Sequence, residues 1–157
     1  MIVRHKTMMK SLLLIGLLLS VTVPSGMEAQ SPAPTGTESQ SVAQIISAES
    51  VKWVAARPGQ DVSVLWGDPR TGPYGRFNRF AAGFEDRPHY HTRDLRVVIV
   101  SGTMIQRIGE AASQEVGPGS FILIPGGTAH THSCKSGAPC VLFVQQEGPN
   151  DTVPVSK

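Results

Sequence analysis

A chain of 157 residues with 40% hydrophobic content supports one domain around one core and leaves no room for a multidomain enzyme. Its formal charge of +2 is an N-terminal property: taking Arg4, Lys6, Lys10 and Glu28 away from the 14 basic and 12 acidic residues leaves 11 of each. A neutral remainder excludes an electrostatic nucleic-acid binder.

Arg4, His5, Lys6 and Lys10 precede an apolar run over residues 12–23, broken only by Gly16, Ser20 and Thr22. Pro24, Ser25, Gly26 and Ala29 follow. Basic flank, short apolar run and small residues predict a secretory signal peptide, residues 1–29, and a periplasmic or secreted mature chain. The run is shorter than the ~20 residues a spanning helix needs, so no membrane anchor is expected after cleavage. No cysteine lies near the cleavage region, which argues against a lipoprotein. Residues 30–50 read as linker and lead-in: 30–40 are Ser, Pro, Thr, Gly and Gln, and 42–51 fit a short helix or a strand. The domain is placed at 51–148, with 149–157 as a C-terminal tail.

Within the domain, strands are expected over 52–56, 62–66 and 76–82, with a dense turn at Gly67, Asp68, Pro69 and Gly72 between the last two. Residues 96–101 are a β-branched run. Gly102 turns the chain into 104–108. Gly117, Pro118 and Gly119 precede 121–124, Pro125, Gly126 and Gly127 lead to 129–134, and 141–144 is the last clear strand. Short strands at eight- to twelve-residue spacing, with no helical periodicity, predict an all-β sandwich or small barrel.

Four of the five histidines fall in this region. His89 and His91 stand at i, i+2, and so do His130 and His132. On a strand each pair shares one face. Imidazole is the commonest protein metal ligand, so two such pairs in one small domain point to a metal site. Cys134 and Cys140 flank a five-residue loop. An oxidising compartment favours a disulfide across the mouth of a hairpin; free thiols or a sulfur ligand are the alternatives.

These residues resemble the two motifs of the cupin superfamily. Gly83, His89, His91 and Gly102 match the first, and Gly119, Pro125, Gly127 and His130 match the second, without insertion. The segment Trp66 to Pro69 and the cysteine pair are similar to those of small single-domain bacterial cupins of unassigned function. The resemblance implies a single-domain cupin barrel (double-stranded β-helix, or jelly roll) with a metal held by His89, His91 and His130, a small-molecule ligand and a homodimer as an open option.

Two positions depart from the pattern. The glutamate ligand of the motif falls at Leu95, or at Arg96 with the looser spacing, and its asparagine falls at Cys134. The thiol dioxygenase branch of the cupins resembles this chain in lacking the carboxylate, which implies that three histidines can suffice. Asp94, one residue before the slot, and His132, two beyond His130, are candidates for a fourth ligand and for catalytic acid or base. Imidazole does not discriminate among Fe, Mn, Zn, Ni and Cu. Phe77, Arg79, Tyr90 and Arg93 are expected to line the barrel mouth, with Val97 and Ile99 on the face of Leu95. Two functions remain open: a metal-dependent enzyme of oxygenase or isomerase type acting on a small molecule, and a non-catalytic cupin that binds a ligand or metal for sensing or storage.

Overall fold

The computed structural model describes residues 42–155. The expected signal peptide and residues 30–41 of the expected linker lie outside the described residues. A 3-10 turn, Ala48–Ser50, is the only helical element among the described residues and is exposed throughout. Eleven strands follow in chain order: β1 (Val54–Arg57), β2 (Gln60–Gly67), β3 (Tyr74–Phe80), β4 (His89–Tyr90), β5 (Leu95–Ser101), β6 (Met104–Ile108), β7 (Gln114–Val116), β8 (Phe121–Ile124), β9 (His130–Cys134), β10 (Cys140–Gln146) and β11 (Val153–Pro154).

The strands form two antiparallel sheets, ordered β1-β2-β3-β10-β5-β8 and β11-β4-β9-β6-β7. Crossing repeatedly between the two gives the jelly roll expected from sequence. Alternation supplies the core. On β5, Leu95, Val97 and Ile99 are buried while Val98 and Val100 face outward. Leu142 and Val144 on β10 and Ile122 and Ile124 on β8 meet them from the same sheet, and Met104 and Cys134 close from the other.

Strands expected at 104–108 and 121–124 are observed at those bounds. Two strands lacked a sequence signal. β7 is polar and pairs only with β6, and β11 is two residues long, with a proline tolerated because it sits at a sheet edge. β11 corrects the reading of 149–157 as a tail: Val153 pairs with Tyr90 and Pro154 with His89. The end of the described chain is therefore built into the histidine-bearing sheet.

Cys134 ends β9 and Cys140 begins β10, with their sulfurs 2.07 Å apart, at disulfide distance. The two strands belong to different sheets. The link therefore joins the sheets at the end of β9 remote from His130.

Gly102, between β5 and β6, has φ +77°, and a Cβ there would lie 2.7 Å from the Pro139 carbonyl oxygen and 2.8 Å from Cys140 Cα. Both neighbours are backbone and cannot swing aside. Gly83 has a similar φ of +78° with nothing within 4 Å of the same built atom. Gly102→Ala should therefore cost more stability than Gly83→Ala, which carries only the strain of positive φ, about 1 kcal/mol or a little more. Urea unfolding of both variants measures the difference, and equal losses would refute the steric account.

Candidate metal centre

β4 and β9 are adjacent, and His89 stands directly opposite His130 in register. His91 follows at the end of β4, and His132 follows His130 on the same face of β9. Imidazole centroids are 4.4 Å apart for His89–His130, 5.2 Å for His89–His91 and 5.3 Å for His91–His130. His132 lies farther out, 5.8 Å from His89 and 6.5 Å from His130.

Main-chain carbonyls fix the tautomers. His89 donates from Nδ1 to the Arg87 carbonyl at 2.7 Å, His130 to the Thr128 carbonyl at 3.0 Å, and His91 to the Asp151 carbonyl. A carbonyl oxygen only accepts, so each Nδ1 carries the proton and each Nε2 keeps its lone pair. This is the orientation seen when histidine binds a metal. Burial reinforces it: His130 is pushed down to about 4 despite its carbonyl bond, and burial also lowers His91. Both are neutral at physiological pH, the form that ligates. Moreover, the Nε2 atoms of His130 and His132 are buried without a hydrogen-bond partner. A buried nitrogen left unmatched is costly in a protein, and a bound ion would match it. The donor set therefore fits a divalent transition metal.

The nitrogens that lie within 4.8 Å of one another belong to His89, His130 and His132. The geometry thus draws His132 into the cluster, where motif spacing names His91. The two sets share His89 and His130. They differ in anchoring, because His132 has no carbonyl on its ring and its Nε2 faces Asp86 Oδ2 at 3.4 Å, without the alignment of a hydrogen bond. Burial lowers the pKa of His132, and the Asp86 charge opposes that.

Asp86 is the acid that sequence reasoning missed. Its side chain is only 7% exposed. Arg57 grips it with both terminal nitrogens, at 3.0 and 2.5 Å. Burial works to raise its pKa, but the Arg57 hydrogen bonds and the neighbouring His132 outweigh this and hold it below the ordinary value. Its place three residues before His89, inside the five-residue spacer of the first motif, was the only clue. Asp94, by contrast, is exposed and accepts from the Gly126 N–H at 3.0 Å. It caps a turn, and its carboxylate is spent on the backbone rather than on the histidines.

A cavity of about 340 Å³ opens beside the cluster, with His89, His91, His132, Asp86, Arg57 and Leu95 in its wall. Leu95, at the acid slot of the motif, faces this space. None of the expected wall residues Phe77, Arg79, Tyr90 and Arg93 lines the cavity; for the first two the reason is the parity of β3, where Arg76, Asn78 and Phe80 face it instead. Phe77 instead packs on Trp53 and Phe143, and Arg79 stacks over Trp53 and pairs with Asp61 at 2.7 Å.

The segment after β10 completes the arrangement. Asp151 supplies the carbonyl for His91, and its carboxylate accepts from the Thr92 N–H at 3.0 and 3.2 Å. Asn150 Oδ1 lies 3.0 Å from the Tyr74 hydroxyl and accepts from Arg76 at 3.1 Å.

The family model described as "ChrR Cupin-like domain" matches residues 41–149. No curated protein matches the chain. Among solved structures, the chain is similar to the polyketide cyclase RemF from Streptomyces resistomycificus (22% identity, TM-score 0.62, covering 74% of this chain and 87% of that one). It is similar to KdgF from Halomonas sp. (19% identity, TM-score 0.57, 68% and 94%). It also resembles the anti-sigma ChrR of Rhodobacter sphaeroides, solved with SigE (16% identity, TM-score 0.53, 64% and 51%), and so spans about half of that protein. At these identities the likeness establishes the fold.

The lowered histidines make a pH prediction for the metal-free protein. His130 binds a proton below about 6.5 when unfolded but only below about 4 when folded. Its contribution to stability is complete above the unfolded value and is lost as pH falls towards the folded one. His91 shifts in the same direction. Urea midpoints should fall steadily from pH 7 to 4.5, with each such histidine contributing up to about 1.4 kcal/mol per pH unit. A flat profile over that range would show that the rings are not held neutral by the fold.

Proposed function

This chain belongs to the ChrR cupin-like domain family, and from that premise we propose that it is an exported, metal-dependent enzyme of oxygenase or isomerase type acting on a small molecule. The observation that carries the reading is the shared anchoring of His89, His91 and His130. Three Nδ1 protons are spent on backbone carbonyls, leaving three Nε2 lone pairs in one cluster, with His89 and His91 in the wall of an open cavity. A bound iron, manganese, zinc, nickel or copper ion would supply Lewis acidity and, where it is redox-active, the means to activate dioxygen.

The residues of the chain do the rest. Arg57 keeps Asp86 ionised, and Asp86 stands 3.4 Å from His132 Nε2. Burial disfavours a proton on that nitrogen and the carboxylate offsets only part of the cost, so the ionised Asp86 in the cavity wall is the group placed to accept a proton from a bound molecule. Leu95, Phe80 and Val144 form an apolar wall that limits water. A second reading, ligand or metal binding without turnover, draws on the similarity to the anti-sigma ChrR. Export is supported by the signal-like N-terminus and by a cysteine pair at disulfide distance. A homodimer is supported by an outward apolar patch on paired strands, Val98 and Phe121 with Val100 and Leu123 beside them.

Untagged protein should carry close to one transition metal per chain by elemental analysis. His91→Ala should lower metal affinity at least tenfold, while Asp94→Ala should leave the content unchanged. If His132→Ala empties the site and His91→Ala does not, the donor set is His89, His130 and His132. Asp86→Asn should retain metal and lose turnover; with the binding reading, no turnover exists to lose. Thiol titration of the exported protein should find no free cysteine, and two free thiols would remove the oxidising compartment from the account.

A further inference from the structure

We propose that Arg76 and Asn78 form a second recognition element in the same cavity, one that fits a small hydroxycarboxylate. This deepens the reading of the cavity as a small-molecule site and rests on it. Both residues lie on β3, two apart, and so point to the same side, into the cavity with Phe80.

Arg76 is a guanidinium without a carboxylate. Two nearby arginines show the ordinary arrangement, Arg57 gripping Asp86 and Arg79 gripping Asp61. In the same role Arg76 has only the neutral side-chain oxygen of Asn150, at 3.1 Å, while its Nε is buried with no partner. The face of Tyr74 lies 5.2 Å from the guanidinium and holds it in place. Burial disfavours the charge of Arg76, lowering its pKa. A half-buried cation with a spare, fixed N–H is short of one planar anion, and the guanidinium fork matches a carboxylate.

Asn78 supplies the complementary half. It is 7% exposed, and its Oδ1 is buried without a donor. A ligand that satisfies both residues carries an anionic acceptor for Arg76 and a hydrogen-bond donor, a hydroxyl, for Asn78. Same-face neighbours on a strand are roughly 7 Å apart, the span of a three- to four-carbon acid. The histidines stand in the wall of the same space, and the charge of Arg76 reaches His91.

The test is calorimetric titration of metal-loaded and metal-free protein with malate, succinate and succinamide. Succinate should bind at least tenfold tighter than succinamide, the effect of one charge-assisted contact, and malate about fivefold tighter than succinate through its hydroxyl. Arg76→Met should abolish the preference for carboxylate over amide while leaving metal content intact, and Asn78→Ala should abolish only the preference for malate. Arg79→Met, on the outer face, should change neither. Carboxylate preference that persists in Arg76→Met, or that vanishes when the metal is removed, would assign the anion to the metal and overturn the proposal. Absence of any preference in the wild-type chain would overturn it as well. A preference that survives in protein shown to bind no metal would uphold it and sink the metalloenzyme reading instead.

Discussion

A backbone carbonyl can accept a hydrogen bond but cannot give one, and that asymmetry governs this molecule. Three such oxygens, on Arg87, Thr128 and Asp151, decide which nitrogen of His89, His130 and His91 is left free to bind. Each oxygen is where it is because of a different part of the fold. Arg87 precedes β4, Thr128 lies in the turn before β9, and Asp151 follows β10 and is held by the pairing of β11 with β4. The sheet that bears the histidines thus also delivers the groups that orient them. Rigid main chain, rather than flexible side chains, sets the donor geometry, which limits reorganisation on binding.

Replacement of the motif's acid by Leu95 redistributes charge around the centre. A carboxylate among the ligands would cancel part of a divalent charge at the metal itself. Here the negative groups stand beside the histidines: Asp86 by His132 and Asp151 by His91, at 3.4 and 3.8 Å from ring nitrogens. In the cavity wall Arg57 is paired with Asp86, which leaves Arg76 as the arginine without a carboxylate partner. An arginine in the wall without its own carboxylate is suited to drawing in an anion. The short wall of Leu95, Phe80 and Val144 lowers the local dielectric, so each of these interactions counts for more than it would in water.

Much of this was legible in the sequence because strand alternation and glycine-punctuated turns are local signals. The strands at Met104–Ile108 and Phe121–Ile124 follow from them. What escaped was non-local. Asp86 looked like spacer because its meaning depends on Arg57, 29 residues away. β11 has two residues and a proline, too little pattern to read. The choice of Arg76 and Asn78 over Phe77 and Arg79 hangs on a one-residue phase, and hydrophobicity misled it, since the outward Phe77 is covered by Trp53 and Phe143. Asp94 stands one residue short of the ligand slot, and its carboxylate accepts from the N–H of Gly126 instead.

The bond from His91 to Asp151 closes a loop of 60 residues. A His-x-His motif is often treated as a ready-made chelator, but here the aim of its second ring depends on a carbonyl near the end of the described chain. The unfolded chain consequently offers scattered imidazoles with no fixed tautomer, and an ion gains little by associating with it. Occupancy becomes a report on completed folding rather than its trigger. An ion bound there would stabilise the native state by mass action, in proportion to the logarithm of its free concentration. The availability of metal in the surroundings would then set how long each molecule endures.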